Sequence, residues 1–245
     1  MGWFGAACPV RPREQRWVEA SMRTFRRELG PGPLGRPVVL PTPEFFPDSR
    51  TGTDADIDTF FRRVCRYAEV DPSAITVETF GGNEEAELAR ATGLTYESRS
   101  AAGDYRRAGG RPVIGVDRAA VDHPARLVAT IAHELAHHRL HERGLGEDRA
   151  DHEPLADLLT VYLGLGVFTA NAAFEYRTDL RRRSAHRLGY LTEPMFGYGL
   201  ACFAWLREET EPDWARSVDA NPRSALKRGL RYLAGNAPAG EFPAP

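Results

Sequence analysis

The chain has 245 residues, 34 Asp and Glu against 32 Lys and Arg, and 42% hydrophobic residues. That length suits one large domain or a domain with an appendage, at about 150 residues per domain, and it can bury roughly 70% of its unfolded surface. A net charge of −2 excludes the strongly basic footprint of a nucleic-acid or anionic-membrane binder, and the longest mostly apolar run, residues 158–170, falls short of the ~20 residues that span a bilayer.

In chain order, Val18, Met22, Phe25 and Leu29 recur at helical spacing and predict a helix over residues 13–29, with Gly30 as its stop. Residues 30–47 are rich in proline and glycine around Val38, Val39 and Leu40, which read as a short strand within an extended connection. A second helix is expected from Asp54 or Asp56 to Ala68, with Ile57, Phe60, Phe61, Val64, Cys65 and Ala68 on one stripe. Strands follow at residues 75–80 and 111–117, the latter after a loop containing Gly109 and Gly110. From there the pattern is helical. One helix starts near Asp122 with Pro124 in its first turn and ends before Gly144; another starts near Asp151 and runs on through LADLLTVYLGLGVF; two more cover residues 193–208 and 221–233.

Strands early and helices late give an α+β fold, a small N-terminal sheet with helices followed by a mostly helical C-terminal half. Cys8, Cys65 and Cys202 are far apart and lack CxxC spacing, so neither a disulfide framework nor a cysteine metal site is expected. The first residues carry no secretory or myristoylation pattern, which makes a reducing cytoplasm the expected compartment. Lys227 is the one lysine, so the run Arg181, Arg182, Arg183 reflects an overall arginine bias and reads as a solvated helix face.

Six of the seven histidines (His123, His133, His137, His138, His141 and His152) crowd into residues 123–152. Within them stands His133-Glu134-Leu135-Ala136-His137, an HExxH match that this composition would produce by chance only ~0.016 times. Positions four apart on a helix are separated by about 40° in azimuth, so both imidazoles can reach one ion at about 2.0–2.1 Å. Glu134 is about 100° from His133; it is badly placed as a ligand but well placed to act on water at the ion.

A third ligand must come from elsewhere. His141 lies about 12 Å along the axis from His133, and Leu140 and Arg143 occupy the positions where a metzincin has Gly and His. The next helix offers Glu153 as the leading candidate, with His152 and Asp151 as alternatives. Asp157, one turn after Glu153 among Leu155, Ala156, Leu158 and Leu159, is placed to accept the second ring N–H of a ligating histidine. The competing reading makes Glu153 a helix-dipole residue and Asp157 a surface acid. His138 and His141 read as flanking residues, His123 as a helix-start residue and His186 as isolated.

These residues resemble the gluzincin branch of zincin metallopeptidases. The string from Thr130 to His141, TIAHELAHHRLH, is similar to the active-site helix of ImmA/IrrE-type proteins, and Glu153-Pro154-Leu155-Ala156-Asp157 to the ExxAD segment of HtpX-like peptidases, whose membrane helices have no counterpart here. The resemblance covers residues 110–165. It implies a zincin-like fold with an edge strand, here residues 111–117, bordering the cleft, and Zn2+ held by His133, His137 and Glu153 with a fourth position left for water. It further implies Glu134 as general base and then acid, and an oxyanion donor that could be Tyr162, Tyr190, Tyr198 or His186. The expected organisation is one domain over residues 1–245: a sheet-containing part at 30–120, metal-site helices at 121–170 and a helical part at 171–245. The expected function is a zinc-dependent hydrolase acting on a peptide or protein, with no nucleic-acid or membrane partner. The alternatives are a metal-binding regulatory or interaction protein with little catalysis, and a helical protein without metal.

Overall fold

The computed structural model describes residues 6–47, 53–81, 103–146, 149–173, 191–238 and 240–242. The fold is α+β and mostly helical. Helix α1 (Pro12–Leu29) starts on a proline, where no intrahelical donor is lost, and Glu14 accepts from the backbone N–H of Arg11 at 3.0 Å. Val18, Met22 and Phe25 are fully buried, as the spacing predicts. The proline-rich connection that follows contains a 3-10 turn (Gly32–Gly35) but no strand at Val38, Val39 and Leu40. Val38 and Val39 are nonetheless buried, and Val39 donates its N–H to the Gly164 carbonyl at 2.9 Å. The apolar run is core, held by a single backbone bond rather than by a ladder.

Helix α2 (Asp54–Ala68) leads into strand β1 (Thr76–Phe80). Strands β2 (Gly103–Ala108) and β3 (Arg111–Asp117) pair antiparallel, with Ala108 opposite Arg111, so Gly109 and Gly110 form a two-residue hairpin loop. Their φ values of 56° and 82° are those of a type I′ turn, which glycine adopts without strain. The described strands form one sheet in the order β1-β3-β2, with β1 parallel to β3. This corrects the expected edge: among the described strands β3 is central, its Val113, Ile114, Gly115 and Val116 all buried, and β1 and β2 lie at the borders, β2 against α3.

After a 3-10 turn (Arg118–Asp122), helix α3 (Pro124–Glu142) packs against α2, β2 and β3, with His123 at its N-terminal boundary. Helix α4 (His152–Tyr162) packs against α3 and α1. The run LADLLTVYLGLGVF is not one helix. Gly164 takes φ +83°, Leu165 N–H donates to Thr160 and Gly164 N–H to Val161, which is a Schellman cap. A new helix, α5, covers 166–173. Helix α6 (Glu193–Leu206) is buried from Phe196 to Leu206 and packs against α1, α4 and α7 (Ala220–Asn236). It stops short of the expected residue 208 because Glu208, at φ 62°, and Glu209 close the same kind of cap. No helix among the described residues is long and apolar enough to cross a membrane.

Candidate metal centre

α3 is buried through its middle, and that stretch includes His133, Glu134 and His138. Polar side chains this deep cost free energy unless each finds a partner. For His133 the partners come from α4, whose first turn presents Glu153 and whose second presents Asp157. His133 Nδ1 is 2.8 Å from Asp157 Oδ1, and His133 Nε2 is 3.1 Å from Glu153 Oε2. His137 Nε2 is 3.1 Å from His133 Nε2 and 3.5 Å from the same Glu153 oxygen.

Two imidazole nitrogens and one carboxylate oxygen therefore face a common point, and this His133, His137 and Glu153 group could hold a metal ion. The three separations of 3.1, 3.1 and 3.5 Å bracket the roughly 3.3–3.4 Å edge of a tetrahedron with metal–ligand bonds of about 2.0–2.1 Å. Asp157 can only accept when ionised, so His133 carries a proton on Nδ1, and Nε2, facing His137 and Glu153, is the nitrogen an ion would take once any second proton has left. The other Asp157 oxygen accepts the backbone N–H of Leu191 at 3.0 Å, which holds the carboxylate in place.

Electrostatics follow from this packing. Burial opposes charge on His133, but the hydrogen bonds and charges of Asp157 and Glu153 more than offset it and hold the imidazole well above its ordinary range. Burial pushes His137 down, and the neighbouring His133 charge adds to that. Glu153 is raised by burial but drawn far below the usual carboxylate range by hydrogen bonds from His133 and His137. Glu134 is pushed up to about 7, first by burial and then by the carboxylates of Glu153, Asp104 and Asp157, against the opposing pull of His133.

The other histidine-region candidates are engaged elsewhere. Asp151 accepts from Trp17 Nε1 at 2.7 Å and from Arg149, away from the imidazoles. His152 Nε2 lies 3.2 Å from Glu153 Oε1, so it flanks Glu153 rather than joining the group. His141 Nε2 sits 2.8 Å from Arg107, and His138 lies between Tyr105 and Glu142. Among the described residues the group thus offers three donor side chains, a number that would leave a bound ion a position for a reactant.

Two of the tyrosines considered as oxyanion donors are committed elsewhere. Tyr162 donates to the Gly30 carbonyl at 2.7 Å, and Tyr198 donates to the buried Glu19 at 2.6 Å. Tyr190 and His186 lie outside the described residues. The tyrosine that does reach the site is Tyr105 on β2, which sequence reasoning missed. Its ring stacks on His137 at 6.4 Å and 14°, and its hydroxyl is 3.4 Å from His138 Nδ1. Gly103 on the same strand touches α3: a Cβ there would lie 2.6 Å from Thr130 Cγ2 and 3.1 Å from Glu134 Oε1. The signal for β2 was the Gly109-Gly110 pair before a predicted strand, which marks a hairpin. The polar composition of GDYRRA concealed it.

Compared with known proteins, the chain matches no family model, no curated protein and no solved structure.

Proposed function

We propose that this protein is a zinc-dependent hydrolase that cleaves peptide bonds, a metallopeptidase of the gluzincin kind. The observation that carries the reading is the convergence of His133 Nε2, His137 Nε2 and Glu153 Oε2 within 3.1–3.5 Å of one another, beside the buried carboxyl of Glu134. When bound, a zinc ion at such a site lowers the pKa of water toward ~7 and polarises a carbonyl. Imidazole and carboxylate donors suit zinc, although the same set also serves ferrous iron. The buried acid favours hydrolysis, because a general base has no evident use in a closed structural site.

The chain's own residues do the rest. Asp157 orients His133 and keeps Nδ1 protonated. Glu134, with its carboxyl near neutrality in the metal-free protein, takes a proton at its carboxylate as water attacks and returns it to the leaving amine. A cation at the three ligands would draw Glu134 down toward the ionised, basic form. β2, at the sheet border against α3, is placed to line the substrate cleft.

The test is metal content together with Glu134→Gln. Purified protein is expected to carry close to one zinc per chain by elemental analysis, and the variant to keep that zinc while losing about 10²–10⁴-fold in hydrolysis of a peptide library. Absence of any first-row metal, or equal turnover by both forms, overturns the proposal. Iron in place of zinc would move it to redox chemistry. Bound zinc without turnover in the unmodified chain would favour the regulatory alternative.

A further inference from the structure

A cavity of about 620 Å³ lies between the end of α6, the turn Asp213–Ser217 and α7. It shares no lining residue with the metal centre. Its floor is apolar: Trp205 and Leu230 present small exposed edges there beside Pro212 and Ala234, over the fully buried Leu226. One wall is cationic. Arg223, Lys227 and Arg231 follow one another at four-residue intervals along α7, so they stand one turn apart on the same face.

The countercharges do not balance this wall. Asp213 is paired with Arg216, which leaves Glu211 as the acid facing three cations. Arg223 is tied back through a bond to the Arg216 carbonyl at 3.2 Å. Lys227 and Arg231 are exposed and have no hydrogen bond or ion pair with any described residue. In a chain whose net charge is −2, this is a local reversal of sign.

Volume and lining together narrow the occupant. The cavity falls within the roughly 300–1,000 Å³ of small-molecule sites, which combine apolar walls with a few convergent polar groups. A bare inorganic ion would leave the floor unused, a neutral apolar molecule would leave the cations unused, and a cation would be repelled. We propose that this cavity binds a small amphiphilic anion, its apolar body against Trp205, Pro212, Leu230 and Ala234 and its carboxylate or phosphate head against Lys227 and Arg231.

Lys227 supplies its own probe, since it is the only lysine in the chain. Reductive methylation with ¹³C-formaldehyde keeps its charge and labels one side chain besides the α-amino group. Titration of the full-length protein with decanoate, decyl phosphate, decanol and inorganic phosphate then reads the site by NMR. The expected result is a saturable Lys227 shift with decanoate or decyl phosphate, and affinity at least tenfold lower for decanol and for inorganic phosphate. Whichever of the two amphiphiles binds more tightly identifies the head group. Arg231→Glu, at an exposed position, should weaken the preferred amphiphile at least tenfold with an unchanged circular dichroism spectrum. Decanol or inorganic phosphate binding as tightly as the amphiphilic anions, an unaffected Arg231→Glu, or no saturable shift with either amphiphile overturns the proposal.

Discussion

Asp157 joins His133 to the chain segment that enters α6: one of its oxygens receives His133 Nδ1 at 2.8 Å and the other receives the Leu191 N–H at 3.0 Å. A carboxylate can accept from both sides at once, and an amide cannot. In Asp157→Asn one side would present a donor to a donor. We expect this variant to lose about 1–3 kcal/mol of stability through the unsatisfied buried group and roughly 10–100-fold in metal affinity. Chemical denaturation of the metal-free protein and chelator competition measure the two effects separately. Wild-type affinity in the variant would show that Asp157 does not orient the ligand.

A metal ion at the proposed centre would compete with the proton for His133. Its Nε2 lone pair is available to an ion only after the proton has left, and the raised pKa keeps that proton in place at pH values where an ordinary histidine is neutral. Metal affinity should therefore rise with pH across the neutral range and level off above the His133 titration. Glu153, held low, and His137, pushed down, stay deprotonated there and add little to the slope. The sign reverses for metal-free stability. A raised histidine stabilises the fold at low pH and ceases to do so as pH climbs through its folded-state value. Competition titrations between pH 6 and 8.5 test this, and a flat profile would contradict it.

The contact of Gly103 with Thr130 and Glu134 constrains the Glu134 carboxyl sterically. Gly103→Val would push branched carbons into the space now shared by Thr130 Cγ2, at 2.6 Å from the nearest added carbon, and Glu134 Oε1, at 3.1 Å. We expect peptide hydrolysis to fall at least tenfold while zinc content stays near one per chain, since His133, His137 and Glu153 lie on α3 and α4. Loss of metal in step with activity would mean that β2 supports the ligands instead.

α6 and α7 approach closely at small residues. A Cβ at Gly197 would sit 2.3 Å from the Pro222 carbonyl oxygen and 2.5 Å from Ala225 Cβ, and neither is a flexible side-chain end. Gly197→Ala should cost about 1–3 kcal/mol through overpacking, read as a lower denaturation midpoint with an unchanged slope. A stabilised variant would show that helix propensity outweighs the clash.

The reach of sequence reasoning follows how local each feature is. By itself the sequence determined α3 and the pairing of His133 with His137 on it, because i,i+4 geometry is set by the helix and needs nothing distant. It also marked α1 and α2, whose buried stripes recur over a few turns, and β1 and β3, whose apolar residues are visible over a few positions. Glu153 was legible as a candidate because so few turns separate it from the imidazoles. Its choice over Asp151 and His152 came from packing: Trp17, on α1, takes Asp151, and α4 meets α3 on the Glu153 face. Composition hid β2, since an edge strand with few buried side chains shows little hydrophobic alternation, and with it went Tyr105 and the Gly103 contact. The Leu191–Asp157 bond joins residues 34 positions apart, and the cavity sets Trp205 of α6 against Leu230 of α7. No local pattern encodes such meetings; the burial of α6 between α1, α4 and α7 decides them.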